Sequence, residues 1–198
     1  MALLLPGMFE FAAPPRTGVH WFVQACREAG LLLLPDEGSV TASFCLWSEQ
    51  SKDDKSELRV TLVRHPCDWL RSVFDAFWAG LQFDNVGLKC LWSQQFVNLP
   101  KNDFDSFTTS YLETMPGEIG RIFDSCKADT RLRLEDMPWA LVELLESLGV
   151  EQKALDRVIA LPPQAKSPFL YARSKWRPEL RRRLLESEAD FCQKLDYY

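Results

Sequence analysis

Apolar and polar positions follow two periods along this chain, and each change of period marks an element. Met8 to Ala13 is short and apolar with Phe9 and Phe11 on one side, the pattern of a short buried strand. Val19, Phe22, Val23 and Cys26 then recur at helical spacing, and Gly30 stands where that helix ends. Leu31 to Leu34 reads as a second buried strand closed by the turn Pro35-Asp36-Glu37-Gly38, and Ser43 to Trp47 as another strand. Ser48 to Glu57 is polar and charged throughout, which predicts an exposed loop. Leu58 to Val63 is rich in β-branched residues and predicts a central strand. Leu70, Val73, Phe74 and Phe77 fall at i, i+3, i+4 and i+7, predicting a helix capped by Asp68 and ended by Gly80.

Leu81 to Asn102 shows no clear period and reads as loop with a helical piece near Leu91 to Val97. Two helices are predicted over Phe104 to Thr114 and Pro116 to Cys126, the second opened by its proline. Thr130 to Leu134 is a short strand. Pro138 to Leu148 is a helix with Leu141, Leu144, Leu145 and Leu148 inward and Gly149 closing it, and Gln152 to Ala160 adds another. Pro162-Pro163 breaks the pattern, and Gln164 to Trp176 is a loop containing Lys166, Arg173 and Lys175. A final helix is predicted from Pro178, with Leu180, Leu184, Phe191 and Leu195 along one side and Arg181-Arg182-Arg183 as a solvated face. Strands alternating with helices imply an α/β fold of three layers, a central mostly parallel sheet flanked by helices.

Composition narrows the picture. With 198 residues, 46% of them hydrophobic, the chain can bury a full core, and one domain over residues 1–198 is expected. A formal net charge of -5 gives no support to a nucleic-acid partner, which usually shows as a basic excess. The six cysteines include no C-x-x-C pair and there are two histidines, so no metal is expected and free thiols in a cytoplasmic setting are. Ala2-Leu3-Leu4-Leu5 lacks a basic flank and is cut short by Pro6-Gly7, unlike a signal peptide, and no apolar run is long enough for a membrane.

Candidate chemistry lies first in Ala13-Pro14-Pro15-Arg16-Thr17-Gly18-Val19-His20-Trp21, a basic turn leading from a strand into a helix. Unpaired backbone N–H groups, the positive end of the helix dipole and the Arg16 guanidinium would converge there, a setting for phosphate or sulfate. A plain surface turn is the other reading of this stretch. A second strand–turn–helix unit carries a basic residue at its turn, Arg64.

Together these residues resemble the sulfotransferases that use 3′-phosphoadenosine-5′-phosphosulfate. Pro15-Arg16-Thr17-Gly18 and Trp21 are similar to that family's first signature loop, and Arg64 with Ser72 eight positions later to its second. Leu132-Arg133-Leu134-Glu135-Asp136-Met137, the Leu148-Gly149-Val150 helix ending and a closing helix after a Lys-Trp segment also look like the family. The resemblance implies a P-loop-NTPase-like sulfotransferase fold and a sulfuryl transfer from that donor to a small-molecule or glycan acceptor, at a hydroxyl or amine, leaving the 3′,5′-bisphosphate and needing no metal. It implies that Arg16 and the segment Pro15, Thr17, Gly18, Val19, His20 and Trp21 hold the 5′-phosphosulfate, while Arg64 and Ser72 hold the 3′-phosphate. Such transfer depends mainly on positioning and on stabilising oxyanion charge. Arg173 and Lys175 would belong to a loop closing over the nucleotide. Where relatives carry small hydroxyl residues after the loop glycine, this chain has Val19 and His20; His20 either donates to the phosphate or packs under the loop. Relatives place a His or Glu base after the first helix, and Asp36 or Glu37 lies in that region, where an exposed turn carboxylate is the alternative. The aromatic middle, with Phe83, Trp92 and Phe96, either lines an acceptor pocket or packs in the core. A protein that kept the fold and binds without transferring is the second functional reading.

Overall fold

The structure, a computed structural model, describes residues 3–5, 9–11, 13–14, 16–31, 58–78, 96, 98–162 and 174–197. It is a mixed α/β chain whose contacts fall into two compact units. One comprises Met1–Val63 with Cys126–Gln164, the other Arg64–Ser125 with Ala165–Tyr198.

The first unit is built on a sheet of four short strands, β1 (Leu3–Leu5), β2 (Phe9–Phe11), β3 (Leu58–Val63) and β4 (Thr130–Arg133), in that spatial order. β2, β3 and β4 are mutually parallel, with Phe11 opposite Val60 and Leu62 opposite Leu132, and β1 runs antiparallel to β2. Being parallel neighbours, β2 and β3 release the turns that follow them from the same edge of the sheet. The β-branched run of β3 fits its central place, and residues 60–63 are all buried. Asp129 pins the entry to β4: its backbone N–H donates to the Arg59 carbonyl at 2.9 Å, and its carboxylate accepts the Arg59 N–H at 2.9 Å.

Helix α1 (Val19–Glu28) packs Phe22 against the sheet, stacked on Phe11 at 4.0 Å and edge-on to Phe9 at 6.2 Å. After β4 the chain makes a 3-10 turn, Leu134–Asp136, so Leu134 lies outside the strand predicted to include it. Helices α5 (Trp139–Ser147) and α6 (Gln152–Ile159) complete this core with Leu141, Leu145, Leu155 and Val158. Arg157 on α6 donates to the Glu28 carbonyl at 2.8 Å, satisfying one of the acceptors left open at the end of α1.

In the second unit the elements are α2 (Pro66–Trp78), α3 (Phe104–Thr114), α4 (Glu118–Asp124), α7 (Pro178–Ser187) and α8 (Ala189–Lys194). Its core is aromatic. Trp69 is fully buried and meets Phe96 at 5.7 Å and Phe123 at 5.8 Å; Phe74 meets Phe104 and Phe107, and Phe191 stacks on Phe123. Asp103 caps α3 by accepting the Ser106 N–H at 2.8 Å and the Ser106 hydroxyl at 2.7 Å.

Boundaries elsewhere also differ from the sequence reading. α2 starts at Pro66, whose fixed φ and missing N–H suit a first helical turn, so Asp68 is a first-turn residue paired with Arg71 and not the cap. Gly117, at φ 77°, starts α4, leaving Pro116 in the turn before it. The predicted final helix is two helices, α7 and α8, meeting at Glu188, a junction described below. β1 was not anticipated, because three residues carry no period. Leu31 is described but lies outside any strand, and residues 32–34, the candidate strand Ser43 to Trp47, the polar stretch 48–57 and Gly80 lie outside the described residues. Among the described residues no helix is long and apolar enough to cross a membrane.

Candidate functional site

The loop between β2 and α1 takes an uncommon backbone course. Arg16 sits at φ 66° and Gly18 at φ 89°, both in the left-handed region, which a non-glycine residue such as Arg16 adopts at a cost. Gly18 is required twice over. Its φ disfavours any side chain, and a Cβ there would lie 2.5 Å from Leu134 Cδ1. The loop is braced from within by Thr17, fully buried, whose hydroxyl donates to the Pro14 carbonyl at 2.6 Å. Its hydroxyl is thus committed to the loop itself, leaving its backbone N–H as the group it could offer an anion.

Gly18 begins α1 with no side-chain cap, and the first helical bond runs from the Phe22 N–H to the Gly18 carbonyl at 3.1 Å. The N–H groups of the first turn therefore lie at the positive end of a ten-residue helix without side-chain capping among the described residues. Such an end favours a negative group.

The remaining loop residues have distinct surroundings. Val19 is buried and His20 is exposed, so of these two residues only His20 presents its side chain to solvent. Trp21 is buried, and its indole N–H donates to the Pro162 carbonyl at 3.2 Å, which anchors the start of α1. Arg16 is half-buried and engaged in interactions of its own.

Arg64 and Ser72 belong to the second unit. Arg64 directly follows β3, and Ser72 lies on α2; both are half-buried and engaged. Between them, His65 accepts the Cys67 N–H at its Nδ1, 3.2 Å away, and its ring meets Tyr197 edge-on at 5.2 Å. These contacts give His65 a structural setting. Phe96, a candidate for lining an acceptor pocket, is fully buried against Trp69 and Tyr111. Lys175 is exposed, as are Glu135 and Arg181 to Arg183. Pro15, Asp36, Glu37, Phe83, Trp92, Lys166 and Arg173 lie outside the described residues. Among the described residues there is no group of three or more His, Cys, Asp or Glu side chains placed to hold a metal.

Two contributors escaped the sequence reading. Leu134 closes over Gly18, and Tyr197 closes over His65; each acts across a long sequence separation that no local spacing announces. Set against known proteins, the chain matches no family model, no curated protein and no solved structure.

Proposed function

We propose that the protein is a sulfotransferase of the 3′-phosphoadenosine-5′-phosphosulfate-dependent kind, on a three-layer, P-loop-NTPase-like fold, acting in the cytoplasm on a hydroxyl or amine of a small-molecule or glycan acceptor. The observation that carries the reading is the loop at residues 16–18, left-handed at Arg16 and Gly18 and opening onto the uncapped start of α1. In this reading the first-turn N–H groups and the Arg16 guanidinium take the 5′-phosphosulfate, whose oxyanion charge a planar, bidentate donor suits. Arg64 and Ser72 take the 3′-phosphate. The free cysteines Cys26, Cys67, Cys126 and Cys192 suit a reducing compartment.

The adenosine 3′,5′-bisphosphate product should raise the melting temperature well above any effect of AMP, by binding the folded state. Equal, negligible shifts would overturn the proposal. A specific observation favours a binding protein without transfer as the second reading: Thr17 spends its hydroxyl on Pro14, and Val19 brings none, so the 5′-phosphate meets no side-chain hydroxyl from these positions. Labelled donor incubated with an acceptor panel separates the two readings. Label transfer that is lost in Arg16→Ala supports the enzyme, and tight nucleotide binding without transfer supports the binder.

A further inference from the structure

Within the second unit, the turn that carries Arg64 into α2 is supported from behind by the segment after α8. The carbonyl of His65 accepts the Trp69 N–H at 2.9 Å, and its Nδ1 accepts the Cys67 N–H at 3.2 Å. The second bond matters more for the turn, because Cys67 lies in the first turn of α2 and its N–H has no partner inside the helix. The imidazole is therefore a side-chain cap on the helix that bears Ser72. A ring rotates freely unless packing holds it, and the edge-on Tyr197 ring does so.

Tyr197 is itself fixed. It is buried, its N–H donates to the Cys192 carbonyl at 3.0 Å, and its ring packs on Phe191, which stacks on Phe123 in the core. Asp196, left-handed at φ 55°, turns the chain just before it.

We propose that Tyr197 is a positioning residue for the 3′-phosphate clamp, locking His65 as the cap of α2 and so setting Arg64, one residue earlier, and Ser72, further along the helix, in their relative places. The inference rests on the sulfotransferase reading for its ligand. Oxyanion binding by a guanidinium and a hydroxyl depends on their mutual geometry, and small displacements weaken it steeply.

The test is calorimetric binding of adenosine 3′,5′-bisphosphate and of AMP to the wild-type chain, Tyr197→Ala, Tyr197→Leu and Tyr197→Phe. Tyr197→Ala should bind the bisphosphate roughly tenfold more weakly, with AMP, which lacks the 3′-phosphate, unaffected. Tyr197→Leu keeps an apolar filling without the ring edge and should behave like Tyr197→Ala; Tyr197→Phe should restore wild-type selectivity. A wild-type chain that does not prefer the bisphosphate sinks the sulfotransferase reading. A wild-type preference that Tyr197→Ala and Tyr197→Leu retain in full sinks the role of Tyr197 alone. The imidazole nitrogen NMR shifts of His65 provide a readout free of nucleotide. In mildly alkaline buffer they should show Nδ1 as the acceptor in the wild type and lose that signature in Tyr197→Leu. An unchanged signature overturns the positioning role.

Discussion

Among the described residues two helices begin on a left-handed glycine, α1 at Gly18 (φ 89°) and α4 at Gly117 (φ 77°), and they complete their first turns differently. At α4 the chain supplies its own anion. The carboxylate of Glu188, 2% exposed, accepts the Gly120 N–H at 2.9 Å, the Ile119 N–H at 3.4 Å and the hydroxyl of buried Tyr111. At α1 no side chain caps the turn among the described residues, and the loop before it holds an arginine in a strained conformation. A negative group at a helix start is favourable in either place. One start is filled from within the fold, and the other, without a side-chain cap among the described residues, is where the proposed function places its anion.

Removing the internal anion should have the largest effect. Glu188→Ala leaves the Tyr111 hydroxyl and the Gly120 N–H buried without this partner and should cost about 3 kcal/mol in urea unfolding. A loss well under about 1 kcal/mol would mean that the α4 start does not need its carboxylate, and the contrast would fail.

Next comes the glycine at the open start. Gly18→Ala should destabilise by about 1–2 kcal/mol, chiefly through its backbone conformation. Combining it with Leu134→Ala removes the steric approach and should return part of the loss. Full recovery in the double variant would show that the Leu134 contact, and not the left-handed backbone, demands glycine.

A smaller effect is a pH dependence located at Glu188. Burial raises its pKa from the ordinary 4.5, while hydrogen bonds from Tyr111 and the amides of Gly120, Ile119 and Gly117 pull it part of the way back. The folded chain therefore holds this proton more tightly than the unfolded one. That stabilisation is complete below pH 4.5 and is lost as pH rises through the folded value. Wild-type stability minus that of Glu188→Gln should accordingly decline as pH rises from about 4.5, and a flat difference would contradict it.

Thiol reactivity sharpens the comparison with little change in stability. Burial pushes Cys26, in α1, up to about 12, and burial assisted by the charge of Glu188 pushes Cys192, in α8, up to about 11. Both should resist an alkylating probe in the native chain at neutral pH. In Glu188→Gln, labelling at Cys192 should quicken while that at Cys26 stays the same; equal changes at both would show general loosening instead.

Much of the chain could be read from residue order. The spacing of Val19, Phe22, Val23 and Cys26 matches α1, the predicted Phe104 to Thr114 helix coincides with α3, and Leu58 to Val63 is the central strand. These readings succeed because amphipathic period, β-branching and capping residues act within a few positions of themselves. The loop Arg16-Thr17-Gly18 was likewise visible as a turn into a helix, although nothing in its letters says that Thr17 turns its hydroxyl inward or that Leu134 shelters Gly18.

The sequence by itself determined the local elements and the residue types able to meet an anion, since those follow from short-range sterics and hydrogen bonding. Tertiary structure alone decided the sheet order, the antiparallel β1, the anchoring of Trp21 on Pro162, and the break at Glu188 in what reads as one helix. The reason at Glu188 is physical. The apolar positions on either side continue a helical face, yet a buried carboxylate must find donors, and these lie on α4 and at Tyr111, distant in sequence and near only once the chain has folded.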